Sequence, residues 1–317
     1  MSQGWMVPRF QPARLIEFAW WEMFFFRLGC ALLVWWQFPS LEQYHQMPFP
    51  RGLGHWMDLT FLSAPGTDRI LVWIWLPCLV LYVLGRGTVF TLGVIVAVYS
   101  AAGSLVNSQG ATSHTHQLLV MTLIGQWVAA LWDFGGTCCR GNVGIWVDSN
   151  RRQQAMAQVA RIVISAAYLT CGLSKIVATG GAWISRTPNL ALGIMKSHAN
   201  YFYDDLQVTN PFFSSTVPHW MMDHPLATCL IFGPGLLIEL FLFLGLLGRG
   251  WSLVLGAIAV VFHLMVGLIM LLFFTAHIWL ILLYFVNLPY WLVRCGGALK
   301  AKFFVGNESR RVVEVGE

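Results

Sequence analysis

The sequence predicts an all-α, polytopic integral membrane helical bundle. Of the 317 residues, 57% are hydrophobic and only 10% carry charge, whereas a soluble domain has about 25% charged residues. Mean hydropathy is +0.64. The apolar residues also gather into runs near the roughly 20-residue length that a helix needs to cross a bilayer.

Eight such runs occur, over residues 18–38, 69–84, 88–106, 116–133, 160–178, 226–247, 251–271 and 274–293. The second is short and stops at Gly85-Arg86-Gly87. The last two are one long apolar stretch, and the chain is expected to turn near Phe273-Phe274-Thr275. Two longer connections remain, about 39–68 and 179–225. The second contains WISRTPNLALGIM, which reads as a short re-entrant or interfacial helix after the fifth span. It continues into the aromatic stretch HANYFYDDLQVTNPFFSSTVPHWMMDH, suited to the headgroup region. The expected organisation is an N-terminal cytoplasmic segment 1–17, a transmembrane domain 18–295 and a short cytoplasmic tail 296–317.

Orientation follows from the Lys and Arg residues, which concentrate on the cytoplasmic side. With the N-terminus inside, thirteen of the 19 fall in inner segments, four in outer loops, and Arg27 and Lys175 lie within spans. Both termini are therefore expected in the cytoplasm, with the chain in the cell (inner or cytoplasmic) membrane. MSQGWMVPRFQPARLIEF lacks the compact apolar core and small-residue cleavage site of a signal peptide. The net charge of +5 includes no basic run with interleaved aromatics, so no nucleic-acid partner is expected; membrane lipids are. The seven cysteines are scattered without C-x-x-C spacing and read as buried small hydrophobes.

This topology collects polar groups in one leaflet. His116 opens the fourth span from outside, Lys175 closes the fifth, His263 lies past the midplane of the seventh, and His277 begins the eighth. His114 precedes the fourth span, and Glu239 sits near the middle of the sixth. An ionisable residue at bilayer depth has a partner, an aqueous path or a chemical task. The plain alternatives are snorkelling of Lys175 to the headgroups, a structural ion pair between Glu239 and Arg27, solvation of His114, helix capping by His116, and interhelical hydrogen bonds from His263 and His277. His219, Asp223 and His224 in PHWMMDH place an i,i+4 pair on one helix face, but there is no HExxH and no metal is predicted. No GxSxG elbow supports a serine nucleophile.

A low-dielectric pocket favours the neutral amine, the form that serves as a general base. Tyr168 and Cys171 precede Lys175 by seven and four residues and share its helix face. Gly172 lies near that face and admits a partner helix or a flat ligand. With His116 alongside to hydrogen-bond developing charge, such a site suits a lipid-soluble quinol.

YLTCGLSKIVATGGAWISRTPNLALG resembles a tyrosine, glycine, lysine and tryptophan pattern of the HTTM domain family, the membrane domain of vitamin K-dependent gamma-carboxylases and their bacterial relatives. SHTHQLL resembles that family's short histidine motif. GPGLLIELFLFLGLL and VVFHLMVGLIMLLFFTAHIWLILL resemble its acidic helix and the following Phe-His helix, in the same order. The likeness spans most of residues 15–295. In that family a lysine deprotonates reduced vitamin K, a histidine supports the reaction, and the oxygenated product removes a glutamyl γ-proton before CO₂ is captured.

The resemblance implies Lys175 as base, His116 as its partner and His263 as a further catalytic contact. Tyr168, Gly172, Trp183 and His277 would line the site of a reduced quinone of vitamin K or menaquinone type, with Glu239 and Arg27 as structural polar residues. Thr115 stands where asparagine is typical, Gly180-Gly181 intrudes before Trp183, and Ser185-Arg186 replaces the glycine that usually follows it. The large lumenal domain of the carboxylases has no counterpart in this sequence. The short form resembles the branch of the sporulation-delaying-peptide B type, associated with maturation of a secreted antimicrobial peptide. The implied function is an outward-facing Lys/His site acting on a quinol-type lipid or a secreted peptide. The alternative is a non-catalytic membrane subunit or assembly factor with a partner subunit. A transporter ranks last, since the charges do not thread the bilayer and no repeated half is visible.

Overall fold

The computed structural model describes residues 16–45, 47–110, 114–138, 148–206 and 208–295. The expected N-terminal segment up to residue 15 and the tail 296–317 lie outside the described residues, as does the side chain of His114. Among the described residues the regular structure is helical, with no strand. Five helices are long and apolar enough to cross a membrane, or six if one bent pair counts as a single span.

The first helix, α1 (Trp20–Trp36), is 17 residues long, as is α2 (Thr67–Val83); each reaches roughly 25 Å at 1.5 Å per residue. The Glu22 carboxylate accepts the Ala19 N–H at 2.7 Å, satisfying a donor at the start of α1. It also takes Arg249 Nη1 at 2.7 Å and Asn287 Nδ2 at 2.6 Å. One buried carboxylate thus joins the start of α1 to two later elements.

Between α2 and α3 (Thr88–Ser108) the chain reverses at Gly85 and Gly87, whose φ values are +66° and +57°. A side chain in this left-handed region is disfavoured, so the pair of glycines suits the turn. Helix α4 (His114–Cys138) packs along α3 and along the long α5 (Asn150–Thr179). Ser149 caps α5 by accepting from Arg152 N. Just before it, Asp148 accepts from Thr88 Oγ1 at 2.9 Å and Arg152 Nη1 at 3.0 Å. Burial pushes the Asp148 carboxyl above its ordinary range, and those two donors pull it back part of the way.

The connection after α5 forms a 3-10 turn over Ile184–Asn189, then α6 (Leu190–Asp205), a π-turn over Phe212–Thr216 and α7 (Val217–Asp223). These elements share a small core of Ala191, Ile194 and Met221 with Ile269. The Ile269 carbonyl, near the end of the helix α10 (Arg249–Met270), meets His198 Nε2 at 2.9 Å. The imidazole satisfies a backbone acceptor that the ending helix leaves open.

The apolar run 226–247, continuous in sequence, is broken into α8 (Pro225–Phe232), α9 (Pro234–Phe241) and a 3-10 stretch Leu242–Leu247. Pro234 has no N–H to continue α8. At Gly233 a β-carbon would meet the Cys229 carbonyl oxygen and would lie 2.9 Å from Ile184 Cγ2.

After α10 the chain turns through residues 271–274, as the sequence reading expects, with Leu271 at φ +55°. It then forms α11 (Thr275–Ile281), a π-turn Leu282–Val286 and a further helical stretch bent by 44°. The main core runs between α1, α2, α3, α4, α5 and α11, with Tyr82, Tyr99, Tyr284 and Phe285 among its largest buried side chains. Two polar pairs lie within it: Tyr82 donates to Gln126 at 2.7 Å, and Cys30 Sγ lies 3.2 Å from the Tyr284 hydroxyl.

Gly233→Ala is expected to lower stability by about 1–3 kcal/mol, the cost of forcing atoms into a filled site. The thermal midpoint of the purified protein in detergent measures this. An unchanged midpoint would mean that the break between α8 and α9 does not depend on this glycine.

Candidate functional site

Helices α5 and α9 approach closely at Gly172. A β-carbon there would lie 2.9 Å from Leu240 Cδ2 and 3.3 Å from Glu239 Cβ. The partner helix therefore occupies the space that the sequence reading offered to either a helix or a flat ligand. Three residues further along α5, Lys175 Nζ meets Glu239 Oε1 at 2.5 Å. The lysine side chain keeps 34% of its surface exposed, whereas Glu239 keeps 9%.

The expected pairing of Glu239 with Arg27 does not form. Arg27 donates instead to Val83 O at 3.1 Å and Gln153 Oε1 at 2.8 Å. The reason is packing order: α9 lies against α5, while α1 lies against α2 and the start of α5 brings Gln153 to Arg27.

The Lys175 ammonium also lies over the Trp183 ring, 5.2 Å from its centroid. Trp183 arrives there because α5 ends in a left-handed Gly180 (φ +60°), followed by Gly181 at +85°, which turns the chain back at once. The two glycines that depart from the family pattern thus make the turn that brings the tryptophan to the lysine. A cation over an indole face is held by the ring quadrupole.

On the same side of α5, one and two turns earlier, are Cys171 and Tyr168. Tyr168 is buried, and its hydroxyl bonds His263 Nε2. The His263 ring lies 5.4 Å from the His277 ring and 5.2 Å from that of Phe274, and Tyr168 is 6.2 Å from His277. The turn at 271–274 folds His277 back beside His263.

His116 takes a different place. Its ring lies 5.5 Å from that of Tyr99 and it hydrogen-bonds the backbone of Gln37. The start of α4 is thus attached to α3 and to the end of α1, and the groups in contact with Lys175 are Glu239 and Trp183. His219 and His224 direct Nδ1 to the carbonyls of Ser215 and Trp220, at 2.7 and 3.1 Å.

Among the buried atoms in this cluster, Glu239 Oε2 and His263 Nδ1 have no hydrogen-bond partner. An orphaned buried polar atom costs about 1–3 kcal/mol, so a ligand that supplies a donor to the carboxylate would be stabilised there. Pairing of Glu239 with Lys175 was not legible in the sequence, although Glu239 is the lone charge of its apolar run and Lys175 shares its own only with Arg161. No signal in the sequence points to Phe274 as a ring contact of both histidines.

No family model matches the chain, and neither a curated protein nor a solved structure matches it.

In a double-mutant cycle of Lys175→Met and Glu239→Gln, a coupling of about 1–3 kcal/mol is expected, with the double variant more stable than the singles predict by addition. Partial exposure of the lysine limits the value. Additive effects on thermal stability would show that the contact contributes nothing. Gly172→Val is expected to separate α9 from α5 and to abolish this coupling.

Proposed function

We propose that this chain is an integral membrane protein of the HTTM kind, related to the vitamin K-dependent carboxylases, whose site acts on a quinol-type lipid or a secreted peptide. The observation that carries this reading is the Lys175–Glu239 contact, with an unpartnered carboxylate oxygen beside it and the Tyr168–His263 bond close by. In this reading the eight apolar runs make eight crossings, the segment 183–195 is re-entrant, both termini are cytoplasmic and the site opens outward.

A reduced quinone would supply an acidic ring hydroxyl and the reducing equivalents for reaction with oxygen. The residues present fit such a group. Glu239 Oε2 lacks a donor and a hydroxyl provides one. Trp183 offers an aromatic face beside the Lys175 Nζ. Proton transfer along the 2.5 Å contact turns the ammonium and carboxylate into an amine and a carboxylic acid. The amine is then able to take a proton from a bound hydroxyl. Trp183 attracts the Nζ only while it is an ammonium, and that attraction is released in the neutral amine. The Tyr168 hydroxyl and His263 imidazole are placed to stabilise a developing oxyanion, the part that the resemblance assigns to His116.

The second reading, a non-catalytic subunit or assembly factor, is favoured by the outer segment. There Tyr203, Val208 and Phe212 are 75%, 86% and 54% exposed. Such apolar side chains suit a partner or the headgroup zone.

Incubation of the purified protein with reduced menaquinone or vitamin K, oxygen and bicarbonate, with mass spectrometry of the quinone, tests the first reading. Epoxide is expected from the wild type and a loss of at least about 100-fold in Lys175→Ala, the scale of a general base. Equal turnover by both would remove Lys175 from the chemistry. No turnover by either, together with a stoichiometric partner lost on Tyr203→Ser/Phe212→Ser substitution, would favour the second reading.

A further inference from the structure

Arg161 lies on α5, 14 residues before Lys175 and therefore roughly 21 Å away along the helix, far from the site above. Its surface is fully buried, at 0% exposure. Nη2 donates to Gly245 O at 2.6 Å and to Ser252 Oγ at 3.0 Å, while Nε and Nη1 have no acceptor.

Charge is as unbalanced as the hydrogen bonding. None of the five ion pairs among the described residues includes Arg161. The neighbouring Arg249 is paired with Glu22, which is occupied further by Asn287. The Phe18 and Phe285 rings cover the guanidinium at 5.7 and 5.3 Å. Those rings occupy its faces and leave the in-plane N–H groups as the route for an acceptor. Beside them is a narrow cleft shared by Arg161, Arg249, Ser252 and Trp291, with space for about one water-sized group.

We propose that this cleft is an oxyanion site, in which one phosphate oxygen enters beside Arg161 while the rest of the group remains outside, next to Arg249 and Trp291. Water would fill the hydrogen bonds but leave the guanidinium charge uncompensated. A phosphate oxygen does both, through charge-assisted hydrogen bonds. Trp291 at the mouth, with Leu292 and Val293 exposed after it at 72% and 60%, suits the interface where lipid phosphates lie. A phospholipid headgroup and a free phosphate present the same chemistry, and the test separates them.

Delipidated full-length protein in a neutral maltoside detergent is titrated with inorganic phosphate, with short-chain phosphatidylglycerol, and with a short-chain diacylglycerol that has no phosphate. The thermal midpoint is the readout. A saturable rise with one or both phosphate compounds and none with diacylglycerol is expected. A response to phosphatidylglycerol alone assigns the site to a headgroup, and one to inorganic phosphate assigns it to the free ion. Arg161→Gln is expected to lose the response and Arg161→Lys to weaken apparent affinity by about tenfold, through loss of the planar donor set. The lysine variant carries the test if the glutamine variant does not fold. No response by the wild type to either phosphate compound, or an equal response by wild type and Arg161→Lys, would overturn the proposal.

Discussion

A charge placed in a low-dielectric bundle must find its counter-charge within a few ångströms, and the contact of α5 with α9 at Gly172 is where this protein meets that constraint. Without a β-carbon at residue 172, Leu240 and Glu239 come directly onto the surface of α5. That approach brings the carboxylate to 2.5 Å from Lys175. Each group would be expensive in the bilayer alone, and each has the other as partner. The break of the sixth apolar run at Gly233-Pro234 belongs to the same arrangement, because it makes α9 an eight-residue segment separate from α8.

Helix α5 carries three buried or half-buried cations at successive depths, and each is treated differently. Arg152, at the start, is bound by Asp133 and Asp148. Lys175, at the end, has Glu239 and the face of Trp183. Arg161, between them, has a carbonyl, a hydroxyl and two aromatic rings, but no carboxylate among the described residues. Beyond the paired Arg152, the helix therefore presents two separate polar sites, Arg161 in its first half and Lys175 near its end. They differ in character. The Lys175 site couples an amine to a carboxylate able to exchange a proton, whereas a guanidinium stays charged at any accessible pH and suits binding alone.

The elements after α5 complete the first site. Gly180 and Gly181 reverse the chain and deliver Trp183. Helices α6 and α7 then dock on the end of α10, where His198 takes the Ile269 carbonyl. The turn at 271–274, with Leu271 in the left-handed region, returns α11 so that His277 and Phe274 face His263. A non-glycine residue in that conformation costs about 1–2 kcal/mol, and the rings packed across the turn help to hold it.

Composition and hydrophobic run length by themselves pointed to a helical chain with several helices long and apolar enough to cross a membrane, and five such helices are present among the described residues, since a chain with so few charges satisfies its backbone in lipid only through helices or a closed barrel. The same reasoning located the turn at Phe273-Phe274-Thr275 and singled out Lys175, Glu239, His263 and His277 as polar groups that an apolar run does not carry without cause. Pairing was decided by tertiary structure alone. Glu239 meets Lys175 and not Arg27, His116 meets Tyr99, and Gly172 admits Leu240, because helix depth is legible in a sequence whereas rotation and neighbour order are not. The interruption at Gly233 lay within an unbroken apolar run, where hydropathy has no signal for a local change in helical hydrogen bonding. The isolation of Arg161 was equally invisible, since a lone arginine reads as one more inner-side cation until the packing shows no ion pair to it among the described residues.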